Sequence, residues 1–101
     1  MSLKSNNRFH YEYDMALTRD DFLRLLPVAV AHAPYRIDGD EISGNDAKLA
    51  WHITLEPRPV RRIALLALPA LDVKIVIDTA SSEAAKHFIE RFLLGFQRAG
   101  G

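Results

Sequence analysis

The chain has 101 residues, 49% of them hydrophobic, which is enough for one core and one domain. Its 13 basic residues balance 13 acidic ones, so the basic excess typical of nucleic-acid binding is missing. The absence of cysteine excludes disulfides and thiolate metal sites and fits a reducing compartment. No segment reaches the ~20 apolar residues of a membrane helix. We therefore predict one cytoplasmic domain over residues 1–101, with a disordered tail at 1–7 and no cofactor, metal, membrane or nucleic-acid partner.

The first elements of the chain are predicted to be a strand and a helix. Residues 8–15 alternate apolar and polar side chains, which indicates a half-buried strand. Thr18, with Asp21 three positions later, resembles the capping box at the start of a helix. Apolar residues then follow at helical spacing as far as Pro34, with a kink expected at Pro27.

Alternation and turn residues divide the middle of the chain. Residues 35–37 form a short predicted strand, and 38–46 are dense in turn-forming residues, which predicts a loop or tight hairpin. Residues 47–56 alternate again as a strand, and the prolines at 56–59 predict a stiff connection. After residue 80 the pattern becomes helical, with Ser81 or Ser82 as the cap.

The predicted order is strand, helix, three or four strands, helix. Two helices can cover one face of an antiparallel sheet of about four strands, which gives a two-layer α+β sandwich with the order β-α-β-β-β(β)-α. We expect the last strand to lie beside the first and the others to follow as a meander. A ferredoxin-like fold is the alternative, and it requires a further strand after the last helix.

The run 61–77, RRIALLALPALDVKIVI, carries the clearest functional signal. As a strand, it places its odd positions under the helices and its even positions on the uncovered face. The first even positions are apolar, which predicts an interface formed by Ala64, Leu66, Leu68 and Ala70. Pro69 predicts a bend, so that residues 61–79 form either one bent strand or two strands.

Three explanations remain open for this apolar surface. Isolated exposed leucines are common in folded proteins and need no function. Alternatively, the surface joins two copies in a homodimer, or it forms a pocket for an apolar ligand or a partner segment. Our hypothesis is a non-catalytic domain that homodimerises or binds a protein partner through this face.

Two polar groups support an alternative function as a small-ligand protein or enzyme. The first lies on the polar strand faces, where imidazoles and carboxylates could act as acid and base, and consists of His10, His52, Glu12 and Glu56. The second is an anion site at Arg58, Arg61 and Arg62. A solvated surface is the favoured explanation of both groups, and no pair of histidines has a recognised metal spacing.

Two segments and the element order carry a resemblance to known proteins. RRIALLALPAL at 61–71 and FQRAGG at 96–101 resemble a family of small uncharacterised bacterial α+β proteins. The order of elements over residues 8–99 resembles the TBP-like group of folds, whose larger members include the helix-grip lipid-binding proteins. This resemblance implies helices packed across an antiparallel sheet, and it implies no particular activity.

Overall fold

The structure is a computed structural model that describes residues 7–46 and 48–100, except the side chains of 46 and 98–100. The predicted tail at 1–7 lies outside these residues, apart from Asn7, where the first strand begins. In chain order the elements are β1 (Asn7–Met15), α1 (Arg19–Ala29), β2 (Tyr35–Asp38), β3 (Glu41–Asp46), β4 (Leu49–Ile63), β5 (Leu66–Thr79) and α2 (Ser82–Gly100). No helix in this part of the chain is both long and apolar enough to cross a membrane.

The strands form one antiparallel sheet in the order β1-β5-β4-β3-β2. The last strand pairs with the first and the others follow as a meander, as predicted. Both helices pack against one face, so the two-layer α+β sandwich is confirmed, with five strands instead of about four. The ferredoxin-like alternative needs a strand after α2, and none follows among the described residues.

The core lies between the helices and the odd-numbered side chains of β5. Val73, Ile75 and Ile77 are fully buried, and each lies beside a buried side chain of β4. The even-numbered side chains of β5 therefore point away from the helices, which confirms the predicted orientation of this strand. We call the uncovered side of the sheet the outer face.

Aromatic rings hold the two helices on the sheet. The ring of Phe22 in α1 stacks on Phe96 in α2, with 4.8 Å between centroids. Phe88 of α2 lies 5.9 Å from Trp51 of β4, which joins the helical layer to the sheet. Such ring pairs stabilise a core beyond their buried area.

Both helices begin as predicted, but α1 ends early. The Thr18 hydroxyl accepts a hydrogen bond from the backbone N–H of Asp21, and the Ser81 hydroxyl accepts one from Ala84. The first helix ends at Ala29, before Pro34, because Ala31 and His32 both adopt left-handed backbone conformations that a helix cannot continue.

Of the two alternatives predicted for 38–46, the tight hairpin matches the structure and the loop does not. The turn is confined to Gly39 and Asp40, and residues 41–46 form strand β3. Gly39 has φ 65°, which glycine adopts without steric cost. The additional strand accounts for the difference between about four strands and five.

The predicted connection at 56–59 is also wrong, and the predicted division of residues 61–79 differs from the structure. Strand β4 continues through both prolines, and a two-residue turn at Ala64 and Leu65 reverses the chain. The run 61–79 therefore belongs to two strands, as one of the two predicted alternatives has it, but they meet in a tight turn at 64–65 and not in a bend at Pro69. Opposite Pro69, where a bend was predicted, strand β4 has a bulge between Arg58 and Arg61.

Candidate functional site

The hairpin of β4 and β5 extends beyond the rest of the sheet. Strand β1, which pairs with β5, ends where Met15 opposes Leu71, and the pairing of β3 with β4 reaches only Thr54. Residues 58–70 therefore form a ribbon of two strands, with no strand on either side. We call residues 58–70 the arm. Six residues of β4 and five of β5 make the arm roughly 15–20 Å long. The molecule measures 58 Å along its longest axis against 24 and 22 Å.

Large apolar side chains are exposed around the end of the arm. Leu65 at the turn is fully exposed, Leu66 is 61% exposed and Ile63 is 56% exposed. Val60, in the bulge, is exposed as well. Together these four side chains form what we call the arm tip.

The predicted interface residues occupy three different environments in this hairpin. Ala64 forms the turn with φ 57°, and Leu66 is exposed beside it. Leu68 is half-buried, and Ala70 is buried at 6% exposure where the arm joins the body. The four residues therefore follow one side of the hairpin from its tip to its base.

The arginines predicted as an anion site lie on the arm, and two of the three bind carboxylates of the protein itself. Arg58 donates to Glu56 at 3.3 Å, and Arg61 pairs with Asp14 of β1. The bulge adds one residue to β4, so that Arg58 and Arg61 both face the outer side. Arg62 makes no ion pair with any residue in the described part of the chain.

At the base of the arm, acidic side chains meet these arginines on the outer face. A shallow pocket of about 390 Å³ is lined there by Glu12, Asp14, Arg58, Pro59, Arg61, Ala70 and Asp72. The hydrogen bond between Glu12 and Asp72, and the repulsion between their charges, raise the pKa of Glu12 above its usual 4.5. At the base of the arm, the carboxylates of the outer face thus lie next to the arginines of the arm.

The two predicted histidines lie on the outer face, on either side of β5. His10 of β1 and His52 of β4 both oppose Val76, so about two strand spacings, roughly 10 Å, separate their backbones. His52 pairs with Glu41 of β3 at 3.2 Å. Each histidine thus has its own surroundings, and Val76 lies between them.

The two carboxylates of this predicted group, Glu12 and Glu56, also lie on the outer face, nearer to the arm than the histidines. Glu12 opposes Lys74 and hydrogen-bonds Asp72, while Glu56 lies 3.6 Å from Lys74 and 3.3 Å from Arg58. No group of three or more histidine or acidic side chains within the described residues is placed to hold a metal ion. These side chains form exposed ion pairs between neighbouring strands of the sheet.

A second depression on the outer face has a more apolar floor. Its volume is about 430 Å³, and its lining residues are Arg8, Ser43, Ala50, Trp51, His52, Val76 and Asp78. The small side chains Ala50 and Val76 leave this space between larger polar neighbours. It is shallow and open, and it lies at the end of the sheet away from the arm.

Reasoning from the sequence missed the members of the arm tip other than Leu66. Ile63 and Leu65 had been assigned to the covered side of a strand, and Val60 to no element, because the reversal at 64–65 carries none of the usual turn residues. Comparisons of the chain with protein-family models, curated proteins and solved structures find no match. The resemblance to the TBP-like group therefore stays a prediction.

Proposed function

We propose that the chain is a non-catalytic, cytoplasmic binding module that docks to a protein partner through its arm. The observation that carries this proposal is the arm tip, where Val60, Ile63, Leu65 and Leu66 lie in water on a ribbon without a third strand. Fully burying a side chain of this size contributes roughly 1.5–3 kcal/mol before the entropy of association is subtracted.

The charge of the arm indicates the chemistry of the partner. The arm contains three arginines and no acidic residue. Arg62, on the side of the ribbon opposite to Arg61, is free to bind a carboxylate. A fitting partner offers an apolar cleft rimmed by acidic side chains.

Charge also argues against two other binding partners for the arm, a second copy of the chain and an anionic bilayer. Two arms placed together would bring the arginines of both copies close to one another, and Arg62 of each has no ion pair among the described residues to offset the repulsion, which disfavours a homodimer through this surface. A bilayer rich in anionic lipid would meet the carboxylates of Glu12, Asp14 and Asp72 beside the arm. The hypothesis from the sequence also included a homodimer. The edge strand β1 is a better surface for pairing two copies than the arm is.

Site-specific photo-crosslinking tests the proposal in cells of the source organism. A photoreactive residue replaces Leu65 in one variant and Val28 of α1, also exposed, in the control. We expect Leu65, and not Val28, to give an adduct with one protein. Adducts with lipid or with a second copy, or none at all, would contradict the proposal.

The purified adduct partner then permits a quantitative test. Ile63 and Val28 are each 56% exposed, so Ile63→Lys and Val28→Lys introduce the same change at equally exposed positions. Titration should show at least about tenfold weaker binding for Ile63→Lys, as expected for a buried contact residue. Equal affinities would place the contact elsewhere on the molecule.

A further inference from the structure

Strand β1 is a long edge strand of the sheet. It pairs with β5 over all nine of its residues, and its other side carries no strand in the described part of the chain. The opposite edge, β2, has four residues. Sheets usually protect such edges with charged side chains, proline or a bulge. Residues 7–15 contain no proline or lysine and pair with β5 without a register shift, and their charges, at Arg8, Glu12 and Asp14, are of both signs.

The outer side chains of β1 are complementary to themselves. They run Arg8, His10, Glu12, Asp14, so that one half of the strand is basic and the other acidic. An antiparallel copy centred on Tyr11 places Arg8 opposite Asp14 and His10 opposite Glu12. Twofold symmetry produces each of these pairs twice.

The side chains of β1 that face the helices are still partly exposed at the edge of the sheet. Phe9, Tyr11, Tyr13 and Met15 are half-buried, whereas the side chains that they oppose on β5 are fully buried. In the register centred on Tyr11, Phe9 opposes Tyr13 of the second copy and Tyr11 opposes its own equivalent. Aromatic pairs across strands are among the more stabilising pairs in a sheet.

Neighbouring registers of the same parity are less favourable. Centring the pair on Glu12 opposes two equivalent carboxylates and leaves Arg8 without an opposing residue of β1. Centring it on His10 pairs Arg8 with Glu12 but leaves Asp14 without an opposing residue, and either register pairs seven residues instead of nine. A register displaced by one residue would set apolar side chains against polar ones. The register centred on Tyr11 also pairs all nine residues, because Tyr11 is the midpoint of Asn7–Met15.

We propose that β1 pairs antiparallel with β1 of a second copy of the chain, with the two Tyr11 residues facing each other across the twofold axis. The result is one ten-stranded sheet with the helices of both copies on the same face. About eight to ten new main-chain hydrogen bonds would form. This goes beyond the proposed function, since the interface leaves both arms free.

The ion pairs already present within each chain continue through this interface. Arg8 lies 3.7 Å from Asp78, and Asp14 pairs with Arg61. In the dimer these side chains form a row in which acidic and basic groups alternate: Asp78, Arg8, then Asp14 and Arg61 of the second copy. Opposite charges side by side stabilise neighbouring strands.

Charge reversal tests the proposed register. Arg8→Asp or Asp14→Arg alone turns two attractive pairs into repulsive ones, and should weaken the dimer at least about tenfold in sedimentation velocity. An equimolar mixture of the two variants should recover a dimer with one copy of each, identified by native mass spectrometry. Arg24→Asp, on α1, is the control and should dimerise like the unmodified chain.

A single introduced thiol gives an independent test that does not depend on the charge variants folding. The chain has no cysteine, so Tyr11→Cys contains one thiol, about 5 Å in Cα–Cα distance from its equivalent across the axis. Mild oxidation should crosslink Tyr11→Cys but not Tyr13→Cys, whose equivalents lie about 13 Å apart. The proposal is overturned by a chain that stays monomeric up to about 100 µM, by failure of the mixture to form mixed dimers, or by equal crosslinking of both cysteines.

Discussion

Gly44 of β3 lies directly against the indole of Trp51, so that a Cβ at position 44 would stand 2.5 Å from the ring atom Cζ2. The same Cβ would lie 2.9 Å from the carbonyl oxygen of Pro34. Because Trp51 is 2% exposed, the ring has little room to move away. The absence of a side chain at residue 44 therefore allows the indole to pack.

We expect Gly44→Ala to lower the free energy of unfolding by about 1–3 kcal/mol, the usual effect of overpacking a core. Urea unfolding followed by tryptophan fluorescence measures the change. The adjacent exposed residue supplies the control, since Ser43→Ala should shift stability by less than about 0.5 kcal/mol. An unchanged midpoint for Gly44→Ala would show that the indole does not lie against this strand.

A second glycine determines how closely the helices approach. A Cβ on Gly95 of α2 would lie 2.7 Å from the Cα of Ala29 in α1. Alanine is better than glycine inside a helix by about 1 kcal/mol, yet Gly95→Ala should lower stability by about 1–3 kcal/mol. Thermal unfolding measures it, and a stabilised Gly95→Ala would show that the helices can separate without loss. Leu94→Ala, next to it and partly exposed, should have a smaller effect.

The pair formed by Glu12 and Asp72 makes stability depend on pH. The pKa of Glu12 is raised in the folded protein, so the folded state holds the proton more tightly than the unfolded chain does. Stability therefore falls as the pH rises through the window between the usual 4.5 and the raised pKa. Glu12→Gln should raise the melting temperature near neutral pH and have little effect in acid, below both pKa values.

Melting curves across this pH range measure that difference. Glu83→Gln is a suitable control, because Glu83 lies in the first turn of α2, where a negative charge stabilises the helix. The two substitutions should therefore act in opposite directions near neutral pH. A Glu12→Gln variant that is less stable than the unmodified chain at neutral pH would contradict the repulsion.

The exposed arm should tolerate charge without unfolding the body. Leu66 is 61% exposed, and Leu66→Lys should change the free energy of unfolding by less than about 0.5 kcal/mol. Leu71, on the same strand and fully buried, is the contrasting site, and Leu71→Ala should lose about 2–5 kcal/mol. Chemical denaturation of both variants measures the contrast. Unfolding of Leu66→Lys would mean that the arm folds back onto the body.

The elements with a regular pattern could be predicted from the sequence. The alternation in β1, the caps at Thr18 and Ser81, and the apolar stripe of α2 each match the structure, because the local period and the packing require the same side-chain orientation. The orientation of β5 from residue 70 onward was predicted for the same reason. The buried positions Val73, Ile75 and Ile77 are the ones that alternation assigns to the core.

The errors arose where tertiary packing overrides local composition. Residues 41–46 include serine, glycine, asparagine and aspartate, yet they form a strand, since Gly44 is needed by Trp51 rather than by a turn. Conversely, Ala64 and Leu65 form a real turn without glycine or asparagine, with Ala64 at φ 57°. Because that reversal carried no signal, the arm and the pairing of Arg61 with Asp14 could not be predicted.

The arm leaves the sheet at the end where β1 finishes, at Met15. In the antiparallel pair that we propose, the two copies of β1 run in opposite directions, so the two arms point away from each other. One dimer would then bind two partner molecules, one at each arm, and would hold them apart at opposite ends of the sheet. A partner that is itself dimeric would be linked to further copies of the chain.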